Sequence, residues 1–195
     1  MSEKIKTIGY GFIGAISFTV LFFLLRFLLK FVPDFYIWET ESEWFKIFGI
    51  SLYQIDIIYF IICLIFVTHG VINLFLITKE NHKARNDNTR KPEKLLKEGF
   101  YSKARHPMYG TFLIINFGLL LSTRSIWGLI LIGLFFIIQY GNSYIEEKTE
   151  LLEIFPEDYT KYKKKVSNMM FLPVYKHYIL TGVILTIGGL YFTFF

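Results

Sequence analysis

The sequence predicts an all-α polytopic membrane protein with about five transmembrane helices and short cytoplasmic amphipathic helices. Three observations carry this reading. Hydrophobic residues make up 53% of the 195 positions and aromatics 19%, more apolar surface than one soluble core of this size can hide. Several apolar runs reach roughly 20 residues, enough to cross about 30 Å of hydrocarbon as a helix. The formal charge of +5 is gathered into a few segments, so it reads as membrane topology before nucleic-acid binding. Cysteine chemistry is limited too: Cys63 stands alone in the middle of an apolar run, which excludes an intrachain disulfide framework and a cysteine-based metal site. The four histidines, His69, His82, His106 and His177, form no His-x-x-x-His pair, and no metal is expected.

Taken in order, Ile8 to Val32 is the first expected span, ended by Pro33 and too long for a cleaved signal. Arg26 and Lys30 near its far end are expected to extend their charged heads to the interface. Residues 33–50 form an acidic loop with Asp34, Glu39, Glu41 and Glu43, in which Trp38 and Trp44 read as interfacial anchors. A second span runs from about Leu52 to Thr78 and contains Asp56, His69 and Asn73. Intramembrane polar groups of this kind are functional candidates, but inter-helix hydrogen bonding is the favoured reading here. Residues 79–106 hold nine Lys or Arg (Lys79, Lys83, Arg85, Arg90, Lys91, Lys94, Lys97, Lys103, Arg105) against four acids. The positive-inside tendency places this segment in the cytoplasm together with Lys4, Lys6 and the N-terminus.

Tyr109–Leu121 and Ile126–Tyr144 are separated only by Ser122-Thr123-Arg124-Ser125, which implies a tight helical hairpin. Its first arm is short, as expected where a site sits at membrane depth. From Glu146 to Val166 the chain is polar, with Leu151, Leu152, Phe155, Tyr159, Tyr162 and Val166 at helical spacing opposite Lys161, Lys163, Lys164 and Lys165. Pro156 followed by Glu157 and Asp158 reads as a helix start. Two short amphipathic helices on the cytoplasmic surface are therefore expected. Tyr178 to Phe195 supplies the last span and puts the C-terminus on the opposite side. The whole chain reads as one domain: two anchoring spans (1–78), a binding region with the hairpin (79–173) and a C-terminal span (174–195).

The chemistry gathers in Lys94–Tyr109 and at Glu146-Glu147. Gly99 permits a sharp turn, and Pro107 steers His106 away from helix, so this backbone can present its amides and carbonyls to a ligand. A juxtamembrane turn touching lipid phosphates is the plainer reading of the same residues. Glu146 and Glu147 end the fourth span, where a carboxylate pair is either the first solvated turn or a site for a cation or ammonium group. The hairpin brings this pair back beside His106, which favours a site.

These residues carry a resemblance. Leu95-Leu96-Lys97-Glu98-Gly99-Phe100-Tyr101, Arg105-His106-Pro107-Met108-Tyr109, Glu147, and Phe155-Pro156-Glu157-Asp158-Tyr159 with Tyr162 resemble the isoprenylcysteine carboxyl methyltransferase family and the related phospholipid methyltransferases. The resemblance covers roughly residues 86–173 and leaves out the first two spans and the last. It implies a membrane methyltransferase that uses S-adenosyl-L-methionine and a lipid-like or prenylated acceptor, with no nucleic acid and no obligate protein partner. It further implies a cofactor site at Glu93, Lys94, Leu95, Leu96, Tyr101, His106, Pro107, Met108, Tyr109 and Glu147, facing the cytoplasm, with Glu146 as a neighbour. Arg105 and Glu147 are the candidates for a catalytic role, and Asn142 and Ser143 fall at the substrate position.

Three positions depart from the family pattern. Glu93 stands where members often have His. Gly110 follows Tyr109 directly, where many have one residue between. Ser143 falls where prenylcysteine enzymes carry a carboxylate-binding arginine, and neither it nor Asn142 supplies that charge. The cofactor half of the site is therefore intact and the acceptor is left as an isoprenylcysteine-type carboxylate or a lipid amine. Two alternatives stay open: an NADPH-dependent sterol or steroid reductase, which shares a His-Pro-x-Tyr block, and a non-catalytic membrane scaffold.

Overall fold

The computed structural model describes residues 3–33, 37–38, 44–47, 50–85 and 92–194. Asp34, Glu39, Glu41 and Glu43 of the expected acidic loop, and Arg90 and Lys91 of the basic segment, lie outside the described residues. The chain runs α1 (Glu3–Leu29), a short antiparallel hairpin of β1 (Phe45–Ile47) and β2 (Ile50–Leu52), then α2 (Gln54–His82). A 3-10 turn (Gly99–Ser102) leads to α3 (Pro107–Ser122), followed by α4 (Ile126–Glu146), a π turn (Glu147–Leu151) and α5 (Leu152–Ile154). α6 (Pro156–Lys165) and α7 (Pro173–Phe194) complete the chain.

Among the described residues, four helical stretches are long and apolar enough to cross a membrane: Lys4–Leu29, Gln54–His82, Ile126–Ile154 and Pro173–Phe194. The first arm of the expected hairpin, read as a short span, is α3, which has 16 residues. At 1.5 Å per residue it covers about 24 Å, less than the hydrocarbon thickness. α1 to α4 pack as successive neighbours and α7 lies against α3. Their shared core includes Phe18, Tyr59, Cys63, Val67 and Leu121. Phe12, Ile137 and Ile187 project outward instead, more than 60% exposed, as lipid-facing side chains do. The result is an integral membrane architecture.

The sequence expectation for Arg26 is overturned. Arg26 is buried rather than extended to an interface, and it donates to Asp56 at 3.2 Å, Thr123 O at 3.1 Å and Ser51 O at 3.1 Å. Arg124, in the α3–α4 connection, meets the other Asp56 oxygen at 2.7 Å and donates to the carbonyls of Ile37 and Trp38. One carboxylate thus holds two guanidiniums and ties α1, α2 and the hairpin together at this end of the bundle. Trp38 is likewise turned inward, its indole N–H reaching Leu185 O at 3.2 Å, while Trp44 is exposed. His69, Asn73 and Thr111 do bond between helices: His69 Nδ1 meets the Tyr178 hydroxyl at 2.8 Å, and Asn73 and Thr111 share the Tyr175 hydroxyl.

The polar segment after α4 also differs from expectation. The first of the two expected surface helices is a continuation of α4 through the π turn, so the long stretch runs to Ile154. α6 is the separate helix, and its apolar face is covered by protein: Tyr159, Tyr162 and Val166 pack against Leu95, Leu151, Leu152 and Phe155. The last span begins at Pro173, earlier than Tyr178.

Candidate active site

The site forms where the basic segment, the start of α3 and the end of α4 meet. Proline at the first helical position suits α3, because its missing N–H would have no helical partner there. It also forces His106 out of the helical region, to φ −124° and ψ 62°. Arg105 and His106 then donate their backbone amides to Asn168 O at 3.0 Å and Met169 O at 2.7 Å, pinning the segment to the chain ahead of α7. Gly110 makes this approach possible, since a Cβ there would lie 2.1 Å from Met170 O. Gly110→Ala is expected to force these backbones apart and destabilise the fold by about 1–3 kcal/mol, measurable by thermal unfolding in detergent. Gly99 supports the preceding turn with φ +58°, a conformation that glycine adopts without strain.

The π turn sets the acids. An i→i+5 turn widens the helix at Glu147, and such turns recur at functional sites. Glu146 and Glu147 both reach His106, whose Nδ1 lies 3.3 Å from Glu146 Oε2 and whose Nε2 lies 3.3 Å from Glu147 Oε1. Beyond this shared partner their surroundings differ. Glu147 is 1% exposed and is taken up by Arg105 Nε at 2.7 Å and by Lys163 of α6. Arg105 in turn donates to the carbonyls of Val166 and Ser167. Glu146 meets Arg85, just past α2, at 2.8 Å, and Arg85 also approaches Glu150 at 3.8 Å.

Burial alone would lower the His106 pKa, but hydrogen bonds and charge from the two glutamates outweigh it and raise it above the ordinary 6.5. A raised folded pKa means that native His106 holds its proton more tightly than the unfolded chain does. Its contribution to stability is therefore complete below the ordinary imidazole range and is lost as pH rises through the raised value. Wild type is expected to lose stability over that window relative to His106→Gln, as read by denaturant midpoints at a series of pH values. Burial pushes the phenols of Tyr101, Tyr159 and Tyr162 above their ordinary range, so they remain neutral donors.

A cleft opens between these elements. Its walls include Lys94, Leu95, Leu96, Tyr101, Arg105, His106, Met108 and Tyr109, and opposite them Glu146. Most of the residues expected at a cofactor site are thus brought together around one space. Pro107 is buried at the start of α3 behind this wall. Glu93 lies in a neighbouring recess with Phe155 and Asp158, where Lys97 and Asp158 join across at 2.8 Å. Of the two glutamates it is Glu146 that lines the cleft, while Glu147 sits behind it. Ser143 is buried and donates to Gln139 O of its own helix, and Asn142 is exposed; neither borders the cleft.

Asn81, Ala84 and Arg85 from α2 and its end, and Leu151, Tyr159 and Tyr162 from the far side, also line the cleft. Tyr159 and Tyr162 belonged to the family-like motif, but no spacing in the sequence connects Arg85 to Glu146. The Tyr159 hydroxyl is buried and faces Glu147 and Arg105 without closing a well-formed hydrogen bond.

The profile of one protein family, described as Phospholipid methyltransferase, matches residues 55–158. No curated protein and no solved structure matches the chain. The matched region begins at Ile55, so it takes in α2, which the motif resemblance had left outside and which contributes Asn81 to the cleft. It ends at Asp158 in α6, after both glutamates and the hairpin. The match spans more than half of the chain and includes the cleft's main acid together with the Arg105–Tyr109 block, and the chain therefore belongs to the phospholipid methyltransferase family.

Proposed function

We propose that the cleft binds S-adenosyl-L-methionine and that the protein transfers a methyl group to an amine on a membrane lipid. The observation that carries this reading is the Glu146–Arg85 pair in the cleft wall. An amino-acid end presents an ammonium beside a carboxylate, and Glu146 and Arg85 offer the complementary charges. Leu95, Leu96 and Met108 give apolar walls for an adenine ring. The residues present fit this cofactor. When bound, it supplies a methyl group already activated on a sulfonium.

The chain's own part is positioning and water exclusion. Arg105 and Lys163 hold Glu147, Glu147 and Glu146 hold His106, and His106 fixes the backbone that opens α3. His106, with both ring nitrogens facing carboxylates, acts as a positioning residue rather than as a base. The Lys97–Asp158 bridge fastens the Glu93–Glu98 strip to α6 beside the cleft. The basic end is read as cytoplasmic, so soluble cofactor enters there while the acceptor arrives from the bilayer. An amine is favoured over a prenylcysteine carboxylate because buried Ser143 and exposed Asn142, at the substrate position, supply no cation.

Labelled-methyl transfer in nanodiscs tests the acceptor. Transfer to phosphatidylethanolamine and none to a prenylcysteine analogue is the expected result. Transfer to the prenylcysteine analogue alone would overturn the amine reading, and saturable NADPH binding in place of S-adenosyl-L-methionine binding would replace it with a reductase.

A further inference from the structure

We propose that the recess between α6 and the 97–102 segment binds the phosphate group of an anionic membrane phospholipid, and that the bound headgroup ties the two together. Lys97, Ser102, Asp158, Lys161, Tyr162 and Lys165 line this recess. Asp158, Lys161, Tyr162 and Lys165 recur at three- and four-residue spacing, so they form one side of α6. Three ammonium groups thus border one carboxylate, and Lys97 already bridges that carboxylate at 2.8 Å. Lys161 lies 3.9 Å from Glu157, and both are exposed, so this contact holds the ammonium only weakly. Lys165 has no carboxylate partner among the described residues, and neither does Lys164 next to it or Lys103 next to Ser102.

The recess sits where the chain enters the bilayer. Ser102 and Lys103 shortly precede Pro107, the first residue of α3. Lys165 ends α6, and the chain after it is bonded to the same level. Arg105 Nη1 donates to Val166 O at 2.8 Å and Ser167 O at 3.0 Å, and Asn168 Nδ2 donates to Lys103 O at 3.3 Å. The spanning helix α7 begins at Pro173. Because α6 lays its apolar face on protein, its lysine face is left for another partner. Lysines at this level attract an anionic leaflet over about 10 Å. A bilayer also holds phosphates there at high local concentration, which favours a lipid over a soluble anion. A zwitterionic headgroup would bring an ammonium that the lysines repel. Tyr162 also lines the cleft, and its hydroxyl donates to Tyr101 O, so recess and cleft lie back to back across one ring. A phosphate engaging Lys161 and Lys165 together with Lys97 adds a second tie across the seam that the Lys97–Asp158 bridge crosses.

The test uses the full chain, freed of lipid in detergent and titrated with short-chain phosphatidylglycerol, with bound lipid counted by native mass spectrometry. Saturable binding is expected, roughly tenfold tighter than for phosphatidylcholine. Lys161→Gln/Lys165→Gln should weaken it on the order of 25-fold, about fivefold per lysine. Ser102→Asp brings a carboxylate into the recess, leaves every lysine in place, and should weaken it too. Lys4→Gln/Lys6→Gln removes the same charge at the start of α1 and should bind as wild type does. In nanodiscs, replacing part of the phosphatidylcholine by phosphatidylglycerol should slow hydrogen exchange of residues 156–165 in wild type but not in Lys161→Gln/Lys165→Gln. Equal affinity for the two lipids, or equal losses in the two double variants, would overturn the site. Exchange that ignores lipid charge would overturn the tie, and displacement of the lipid by millimolar inorganic phosphate would overturn the choice of a lipid. No readout involves the cofactor, so a failure of the methyltransferase reading leaves all of them standing.

Discussion

Glu147→Ala is expected to destabilise the protein by about 3–5 kcal/mol, because it leaves the buried Arg105 guanidinium without its carboxylate. The same change removes the partners of His106 Nε2 and Lys163. This one side chain joins Arg105 and His106, just ahead of α3, to Lys163 of α6. Thermal unfolding in detergent should show a large drop, and cofactor binding should fall with it because the cleft walls separate. Glu147→Gln retains hydrogen-bonding capacity and should recover part of the stability. A Glu147→Ala protein as stable as wild type would mean that the acid at 147 is not the structural centre of the site.

Asp56→Ala is the second large effect, also about 3–5 kcal/mol, at the opposite end of the bundle. Arg26 and Arg124 are 4% and 1% exposed and share this one carboxylate. Its removal takes a shared carboxylate from two buried guanidiniums, whose other described partners include the carbonyls of Thr123, Ile37 and Trp38 and the Tyr53 ring. Here the loss should appear in unfolding while the cleft, at the far end of α2, keeps its cofactor affinity in the protein that remains folded. An Asp56→Ala variant that unfolds like wild type would contradict the reading of this triad.

These two carboxylates show where sequence reasoning succeeds and where it stops. The long apolar helices, the four-residue hairpin connection and the convergence of His106 with Glu146 and Glu147 were all legible, because each follows from local pattern and chain reversal. Arg105, His106, Met108 and Tyr109 of the motif block and Leu95 and Leu96 of the strip border one cleft, while Pro107 lies behind it. Arg26 was misread because a single basic residue near a helix end looks the same whether it extends to an interface or meets an acid 30 residues away. The shortness of α3 was legible too, because only Tyr109–Leu121 is apolar between the His106-Pro107 turn and the Ser122–Ser125 connection. The division of labour between adjacent glutamates was not legible, since it depends on a π turn and on Arg105 and Lys163 arriving from distant parts of the chain. The role of α6 was hidden similarly: an amphipathic helix covers protein or membrane with the same pattern.

The central claim is that the cleft walled by Glu146 holds S-adenosyl-L-methionine. Calorimetric titration of this cofactor into purified protein in detergent tests it most directly, with Glu146→Gln in parallel. Saturable binding by wild type is expected, weakened about 10-fold or more in Glu146→Gln by loss of one charged hydrogen bond. The variant should unfold close to wild type, since Arg85 keeps Glu150. No saturable binding by wild type, or equal affinity in the two proteins, would contradict the account.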